Sequence, residues 1–299
     1  MKPFLLLQSR PEDEASDDEY EGFLRAAGLE RAQLHRLRME SRPLPPLDLD
    51  AYSGIIVGGS PFNSGDPEDE KSDVQRRVEA ELRPLLDDVV ARDFPFLGAC
   101  YGIGTLGVHQ GGVIDRTYGE PVGAVPISLT PEGAADPVLA GLPATFDAFV
   151  GHKEACSVLP PGAVLLATTP ACPVQMFRVR TNLYATQFHP ELDHDGIVTR
   201  IRVYQHAGYF PPEEIDDPAV WEEVAGHFAV AISNTVALLC PEVIVFGGGV
   251  SAQGERLFGP LRRQAAAMVR ILPVPDLRVA GLGQDSGIIG ALVLAETAL

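Results

Sequence analysis

Apolar residues in the first two hundred positions follow two alternating spacings. Compact apolar runs at Pro3 to Gln8, Leu34 to Glu40, Tyr52 to Val57 and Phe94 to Ala99 predict buried strands. Between them lie stretches with helical spacing. Ser9 to Glu19 is polar and acidic, and Tyr20 to Ala27 then carries an apolar face that stops at Gly28. Pro43-Leu-Pro-Pro46 reads as loop. Val74 to Arg92 predicts a long amphipathic helix with Val78, Leu82, Leu85, Leu86, Val89 and Val90 toward the core. Strands alternating with helices imply an α/β fold with a mostly parallel sheet covered on both faces. Short strands with proline and glycine turns follow at Gly123 to Leu129, Phe146 to His152, Ala163 to Thr168 and Cys172 to Arg178, an antiparallel patch before a last strand at Tyr184 to His189. A helix at Ile197 to His206 and the turn Tyr209-Phe-Pro-Pro212 close this part.

Beyond Pro212 the pattern changes. Glu213 to Asp217 is an acidic linker, so the chain divides into a domain at 1–212, a linker at 213–217 and a smaller α/β segment at 218–299. That segment reads as a long helix at Trp221 to Leu239, a strand from Pro241 running into Gly247-Gly-Gly, a helix at Leu257 to Val269, a strand at Leu277 to Gly281 and a closing helix at Ser286 to Thr297. Val224, Phe228, Ile232, Val236 and Leu239 give the first helix a wide apolar face, expected to pack on the first domain or on a second copy.

Composition narrows the function. At 299 residues, 45% hydrophobic and 21% charged, the chain is long enough for two soluble domains. A net charge of −18 argues against nucleic acid or an anionic membrane as partner. The acidic clusters Glu12-Asp-Glu14, Asp17-Asp-Glu19 and Asp66-Pro-Glu-Asp-Glu70 read as solvated surface. Cysteines 100, 156, 172 and 240 are too few and too scattered for a disulfide scaffold or a zinc knuckle, so no metal and no cofactor is expected. No apolar run approaches the ~18 residues of a membrane span, and the expected location is the reducing cytoplasm.

Phe94-Pro-Phe-Leu-Gly-Ala-Cys100-Tyr-Gly-Ile-Gly joins an apolar strand to a glycine-rich segment able to open a helix. This is the sequence form of a nucleophile elbow, and a thiol at a helix N-terminus is biased toward thiolate. A small buried cysteine at a strand end fits the stretch equally well. Downstream, Gln187-Phe-His189-Pro-Glu191 ends a strand on a histidine with an acid two residues on, the base and orienting carboxylate that a thiol nucleophile requires.

Gly98-Ala-Cys100-Tyr-Gly102 followed by Gln187-Phe-His189-Pro-Glu191 resembles the class I glutamine amidotransferases, nearest the amidotransferase domain of GMP synthases. Ile55-Ile-Val-Gly58-Gly59-Ser-Pro61 resembles the family's oxyanion strand and loop, and Gly151-His152-Lys-Glu the segment leading to the histidine strand. The resemblance implies a flavodoxin-like sheet and hydrolysis of the glutamine side-chain amide through a thioester. It implies Cys100 as nucleophile, His189 as base and Glu191 as orienting acid. The Gly59 and Tyr101 amides would hold the oxyanion, and Gly58, Gly104 and His152 would lie at the substrate. His152 reads equally well as an ordinary strand-end histidine.

The family usually carries glutamine four residues after the cysteine, where this chain has Gly104. Either another group replaces that contact, or the substrate is a different γ-glutamyl compound. No Ser-Gly-Gly-x-Asp-Ser loop is present, so ammonia would pass to a separate synthetase subunit.

In the tail, Pro241-Glu-Val-Ile-Val-Phe-Gly-Gly-Gly-Val250 with Gly281-Leu-Gly-Gln-Asp-Ser-Gly-Ile-Ile-Gly290 is similar to the C-terminal end of ROK sugar kinases and repressors, half of an actin-like lobe. That family's phosphate loop, sugar segment and zinc cysteines are missing, so kinase activity is not expected. The competing reading is a non-catalytic, sugar- or nucleotide-binding regulator.

Overall fold

In the computed structural model, which describes residues 2–204, 218–247, 249–270 and 272–281, the chain forms two units, Met1–Phe210 and Pro211–Leu299. The first contains strands β1 (Phe4–Gln8), β2 (Leu34–Arg38), β3 (Gly54–Val57), β4 (Phe96–Ala99), β5 (Val113–Asp115), β6 (Glu120–Leu129), β7 (Thr145–His152), β8 (Ala155–Val158), β9 (Val164–Thr168), β10 (Met176–Val179) and β11 (Leu183–Thr186). Its helices are α1 (Asp13–Ala27), α2 (Asp73–Arg92), α3 (Tyr101–His109), α4 (Pro131–Ala134) and α5 (His194–Tyr204).

Nine strands make one sheet in the order β2-β1-β3-β4-β11-β10-β9-β6-β7. The pairs from β2 through β11 are parallel, and those from β11 through β7 antiparallel. Strand alternation sends Leu5, Leu7, Ile55 and Val57 to one face, against Val78, Leu82, Leu86 and Val89 of α2 and Ile103 and Leu106 of α3. Leu6, Ile56 and Ala99 face Tyr20, Phe23 and Leu24 of α1. The parallel strands thus have apolar side chains on both faces and read as unbroken hydrophobic runs. Of the six α2 positions assigned to the core, Leu85 and Val90 lie at its margin, partly buried.

The structure departs from the sequence reading in several places: β6 begins at Glu120, β11 ends at Thr186 and α5 begins at His194. Helix α1 begins at Asp13 rather than Tyr20, because Ala15, Ser16 and Glu19 are buried and extend its inner face toward the N-terminus. The short pair β5–β8 has no apolar alternation to announce it: Val113 and Val158 are exposed at its ends. Strand β10 starts at Met176, since Cys172 turns back to hydrogen-bond Thr169 instead of joining the ladder.

The second unit has α6 (Pro218–Leu239), β12 (Val243–Phe246), α7 (Glu255–Met268) and β13 (Asp276–Val279), with β12 and β13 parallel. The apolar face of α6 is covered within the unit: Ala225, Ala229, Ile232 and Val236 pack with Leu257, Phe258, Leu261, Ala265 and Leu277. This corrects the expectation of a bare face awaiting a partner, and Leu239, counted with that face, is 75% exposed. The linker 213–217 and the helix expected at Ser286 to Thr297 lie outside the described residues.

Candidate active site

Strand β4 delivers Cys100 into a sharp turn from which α3 departs at once. Its backbone, φ 52° and ψ −94°, lies where non-glycine residues are strained. The turn is held by the Cys100 amide donating to Thr186 O at 2.8 Å and by Ile103 N donating to Cys100 O at 3.0 Å. This fixes the thiol at the N-terminus of α3.

Strand β11, paired with β4, brings in the other two groups. Past its end, His189 N donates to Phe149 O at 2.9 Å, seating the ring beside Cys100. His189 Nδ1 lies 2.7 Å from Glu191 Oε1, and both side chains are buried. Burial works against an imidazolium, but the Glu191 carboxylate and a contact from Cys100 outweigh it and lift His189 to about 9. Burial likewise opposes ionised Glu191, yet His189 and then Arg200 hold its pKa below the usual carboxylate range. The predicted triad residues are therefore brought together.

The oxyanion loop sits differently from expectation. The Gly59 amide donates to Glu19 Oε1 at 3.0 Å, so it is already engaged. Gly58 packs on the same carboxylate: a Cβ there would lie 2.5 Å from Glu19 Oε2, so any side chain would have to displace it. It is the next residue, Ser60, that lines the clefts at Cys100. Gly-Gly-Ser-Pro has no periodicity from which a one-residue offset could be read. Tyr101, the first residue of α3, borders the same cleft as Cys100.

Two clefts open onto Cys100. One is bordered by Phe62, Tyr101, Gly104, His152, Glu154 and Gln187 among others. The second lies toward Arg10, Val150, Leu192, Arg200 and Tyr204. Gly104 and His152 thus border the first cleft. Both His152 ring nitrogens are occupied, Nδ1 2.9 Å from Glu154 O and Nε2 2.9 Å from Glu120 Oε2. Glu120, His152 and Cys172 bring potential metal donor atoms within 4.8 Å of one another. Their neighbours already use that geometry, since Gln175 Nε2 donates to Glu120 Oε2 at 2.6 Å.

Several site residues were missed by sequence reasoning. Glu19, assigned to solvated surface, is fully buried; it accepts from Arg10 Nε at 2.9 Å and Gln8 Nε2 at 3.0 Å. Arg200 is buried beside Asp18 and Glu19, at 3.6 Å from each. Glu154 and Gln187 line the first cleft. Gln187 lies just past the end of β11, two residues before His189, and its place in the Gln-Phe-His-Pro-Glu run is the signal that could have found it.

A cysteine at a strained strand–helix elbow, with a histidine–carboxylate pair from the adjacent parallel strand, defines a cysteine-histidine-glutamate site at the carboxyl edge of an α/β sheet. Comparison with known families gives the particular assignment. The chain belongs to the class-I glutamine amidotransferase family, which it matches over residues 24–199, and residues 213–298 match the ROK family. It is 32% identical over 139 residues to a glutamine-hydrolyzing GMP synthase of Streptomyces avermitilis, covering 45% of this chain and 26% of that protein. The corresponding enzyme of Neisseria meningitidis is 28% identical over 163 residues, covering 54% of this chain and 28% of the relative. The chain thus spans about a quarter of the length of these curated relatives.

Among solved structures, a glutamine amidotransferase from Thermotoga maritima superposes with TM-score 0.59 at 18% identity, over 90% of this chain and 99% of that one. One from Methylobacillus flagellatus gives TM-score 0.56 at 22% identity, over 69% and 76%. At such identities the likeness is one of fold. No helix among the described residues is long and apolar enough to cross a membrane.

Proposed function

We propose that the first unit hydrolyses the side-chain amide of glutamine through a thioester on Cys100, releasing glutamate and ammonia. The sulfur attacks the carboxamide carbon. His189 holds the thiol proton and passes it to the departing ammonia, while Glu191, bound to Nδ1, keeps the opposite ring nitrogen turned to the sulfur. The amides of Ser60 and Tyr101 are assigned to the tetrahedral oxyanion, with Ser60 taking the place first given to Gly59; such a donor is typically worth ~3 kcal/mol of barrier. Water then cleaves the thioester.

The observation that carries this reading is the buried His189–Glu191 pair meeting Cys100 at its elbow. The relatives' names, glutamine-hydrolyzing GMP synthases, support glutamine as the amide. They also support an ammonia-accepting synthetase as partner. A second reading, a γ-glutamyl amide other than glutamine, is favoured by Gly104, since the space a side chain would enter there is already filled. The test is ammonia and glutamate release from glutamine and from γ-glutamyl amides, with and without Cys100→Ala. Loss of turnover by roughly 10³-fold or more in the variant is expected; undiminished hydrolysis would remove the assignment.

A further inference from the structure

Of the two clefts that open on Cys100, the second is lined by His189 and the first is not. In the proposed reaction His189 passes its proton to the departing amine, so the leaving group exits on the side of the second cleft. The walls there are apolar at Val122, Val150, Leu192 and Ile197, and two buried guanidinium groups, those of Arg10 and Arg200, stand among them. Departing ammonia has no use for such a lining, since it has neither methylenes to cover nor an anion to bind.

Arg200, from α5, is 6% exposed, and among the described residues none of its three side-chain nitrogens makes a hydrogen bond. Two carboxylates stand near, Asp18 Oδ2 at 3.6 Å from Nε and Glu19 Oε1 at 3.6 Å from Nη2, both beyond hydrogen-bond distance. Glu19 Oε1 already accepts from Arg10 Nε at 2.9 Å and from Gly59 N at 3.0 Å, which takes up both of its lone pairs. Burial pushes the Asp18 carboxyl above the usual carboxylate range, and its Oδ2 is itself without a hydrogen bond among the described residues. The charge of Arg200 is thus countered while its planar fork of donors stays unfilled, in an interior that penalises unmade hydrogen bonds. A carboxylate entering the cleft matches that fork.

We propose that the second cleft is a leaving-group subsite in which Arg200 binds a carboxylate, so that the first unit cleaves γ-glutamyl amides of amino acids. This rests on the reading of that unit as an amide hydrolase and deepens its γ-glutamyl alternative. The Cys100 thioester forms as the amide C–N bond breaks, and His189 gives its proton to the amine nitrogen. The amino acid departs with its carboxylate on Arg200 and its carbon chain along the apolar walls, and water then releases glutamate. Arg200 meets the leaving group away from the reacting atoms and is a specificity residue. The alternative, in which Arg200 only balances Asp18 and Glu19, predicts no discrimination among leaving groups.

The experiment measures kcat/KM of the full chain, wild type and Arg200→Gln, on the γ-glutamyl amides of glycine, β-alanine and longer ω-amino acids. Each is paired with its neutral counterpart, in which the leaving group's carboxylate is a carboxamide. Wild type should favour the anionic member of at least one pair by about tenfold or more, the scale of one charged hydrogen bond. Arg200→Gln should erase most of that preference through the KM of the anionic member. Arg200 also acts on Glu191, so kcat falls for both members and the ratio within a pair is the reading. Equal use of both members of every pair by wild type overturns the inference, as does a ratio unchanged in the variant. Hydrolysis of glutamine but of no larger γ-glutamyl amide also overturns it, and leaves the hydrolase reading intact. If Arg200→Gln fails to fold, inhibition of wild-type glutamine hydrolysis by the free amino acids decides. Inhibition by them and not by their carboxamides favours the subsite; equal inhibition, or none, decides against it. Absence of hydrolysis from every amide, with Cys100 unreactive, would remove the hydrolase reading itself and this inference with it.

Discussion

The Gly59 amide donates to the Glu19 carboxylate at 3.0 Å, tying the loop beside the nucleophile to helix α1, forty residues away in sequence. The same carboxylate binds Arg10 and Gln8, all three side chains being buried. An acid thus positions a glycine loop, and its charge is balanced in a place water does not reach.

Removing that acid should be severe. Glu19→Ala removes the carboxylate that Arg10 Nε binds in the interior and should cost ~3–5 kcal/mol of stability. Glu19→Gln, which keeps an acceptor for the Gly59 amide, should cost less. Chemical denaturation of the two variants measures the difference; equal stability of both with wild type would refute the role given to Glu19.

The four cysteines should separate by reactivity. Cys156 and Cys172 are buried, which pushes their thiols to about 11 and about 12. Iodoacetamide at pH 8 should leave both unmodified and reach Cys100 and the exposed Cys240. A glutamine-analogue chloroketone should label Cys100 alone. Peptide mapping by mass spectrometry reads both outcomes.

His189 and Glu191 should differ in severity. His189→Ala removes the proton carrier and should abolish turnover, while Glu191→Gln should be milder, since it orients rather than transfers. His189 is raised from 6.5 to about 9. Its charged form therefore contributes stability that is complete below about pH 6.5 and is lost as pH rises through about 9. The same titration removes the proton meant for the leaving group, so kcat/KM should fall on an alkaline limb near that value. Glu191→Gln should move the limb to lower pH, because the carboxylate is the main cause of the elevation. An alkaline limb unchanged in Glu191→Gln would separate the two residues.

Gly59→Ala should disable the site without unfolding the sheet. Its Cβ would fall 2.3 Å from Arg10 Nη2 and 2.9 Å from His189 Cε1, so the imidazole or the loop must move. A loss of about 10²-fold in kcat is expected, the effect of misplacing reacting groups by about 1 Å. Steady-state kinetics with far-UV circular dichroism distinguishes this from loss of fold.

The second unit should be dispensable for the chemistry and should not phosphorylate hexoses. Cys100, His189 and Glu191 all belong to the first unit, and α6 has its apolar face covered by its own unit. Truncation after about Pro212 should keep amide hydrolysis. Hexose phosphorylation by ATP in the full chain, lost on truncation, would instead promote the kinase reading.

What the sequence revealed depended on whether a cause was local. Strands β1, β3 and β4 were visible because burial on both faces leaves contiguous apolar runs. Cys100, His189 and Glu191 were visible because strand geometry places them at the ends of two such runs. Glu19 was hidden because its burial depends on Arg10 and Gln8, partners no spacing rule connects to it. Glu154 was hidden because its place depends on the loop amides of Ser64 and Gly65, ninety residues away in sequence. The coverage of α6 arises from α7 and β13, segments that the helix's own periodicity could not specify.

The backbone at Cys100, with φ 52° and ψ −94°, sets folding against chemistry. Glycine would occupy this conformation without the ~1–3 kcal/mol that a residue with a Cβ incurs there. Cys100→Gly should therefore yield a protein that melts higher and does nothing. Random drift at this codon would meet no resistance from stability, so only continued use of the thiol keeps a cysteine in place. A descendant that lost the activity would leave a sounder fold as its record.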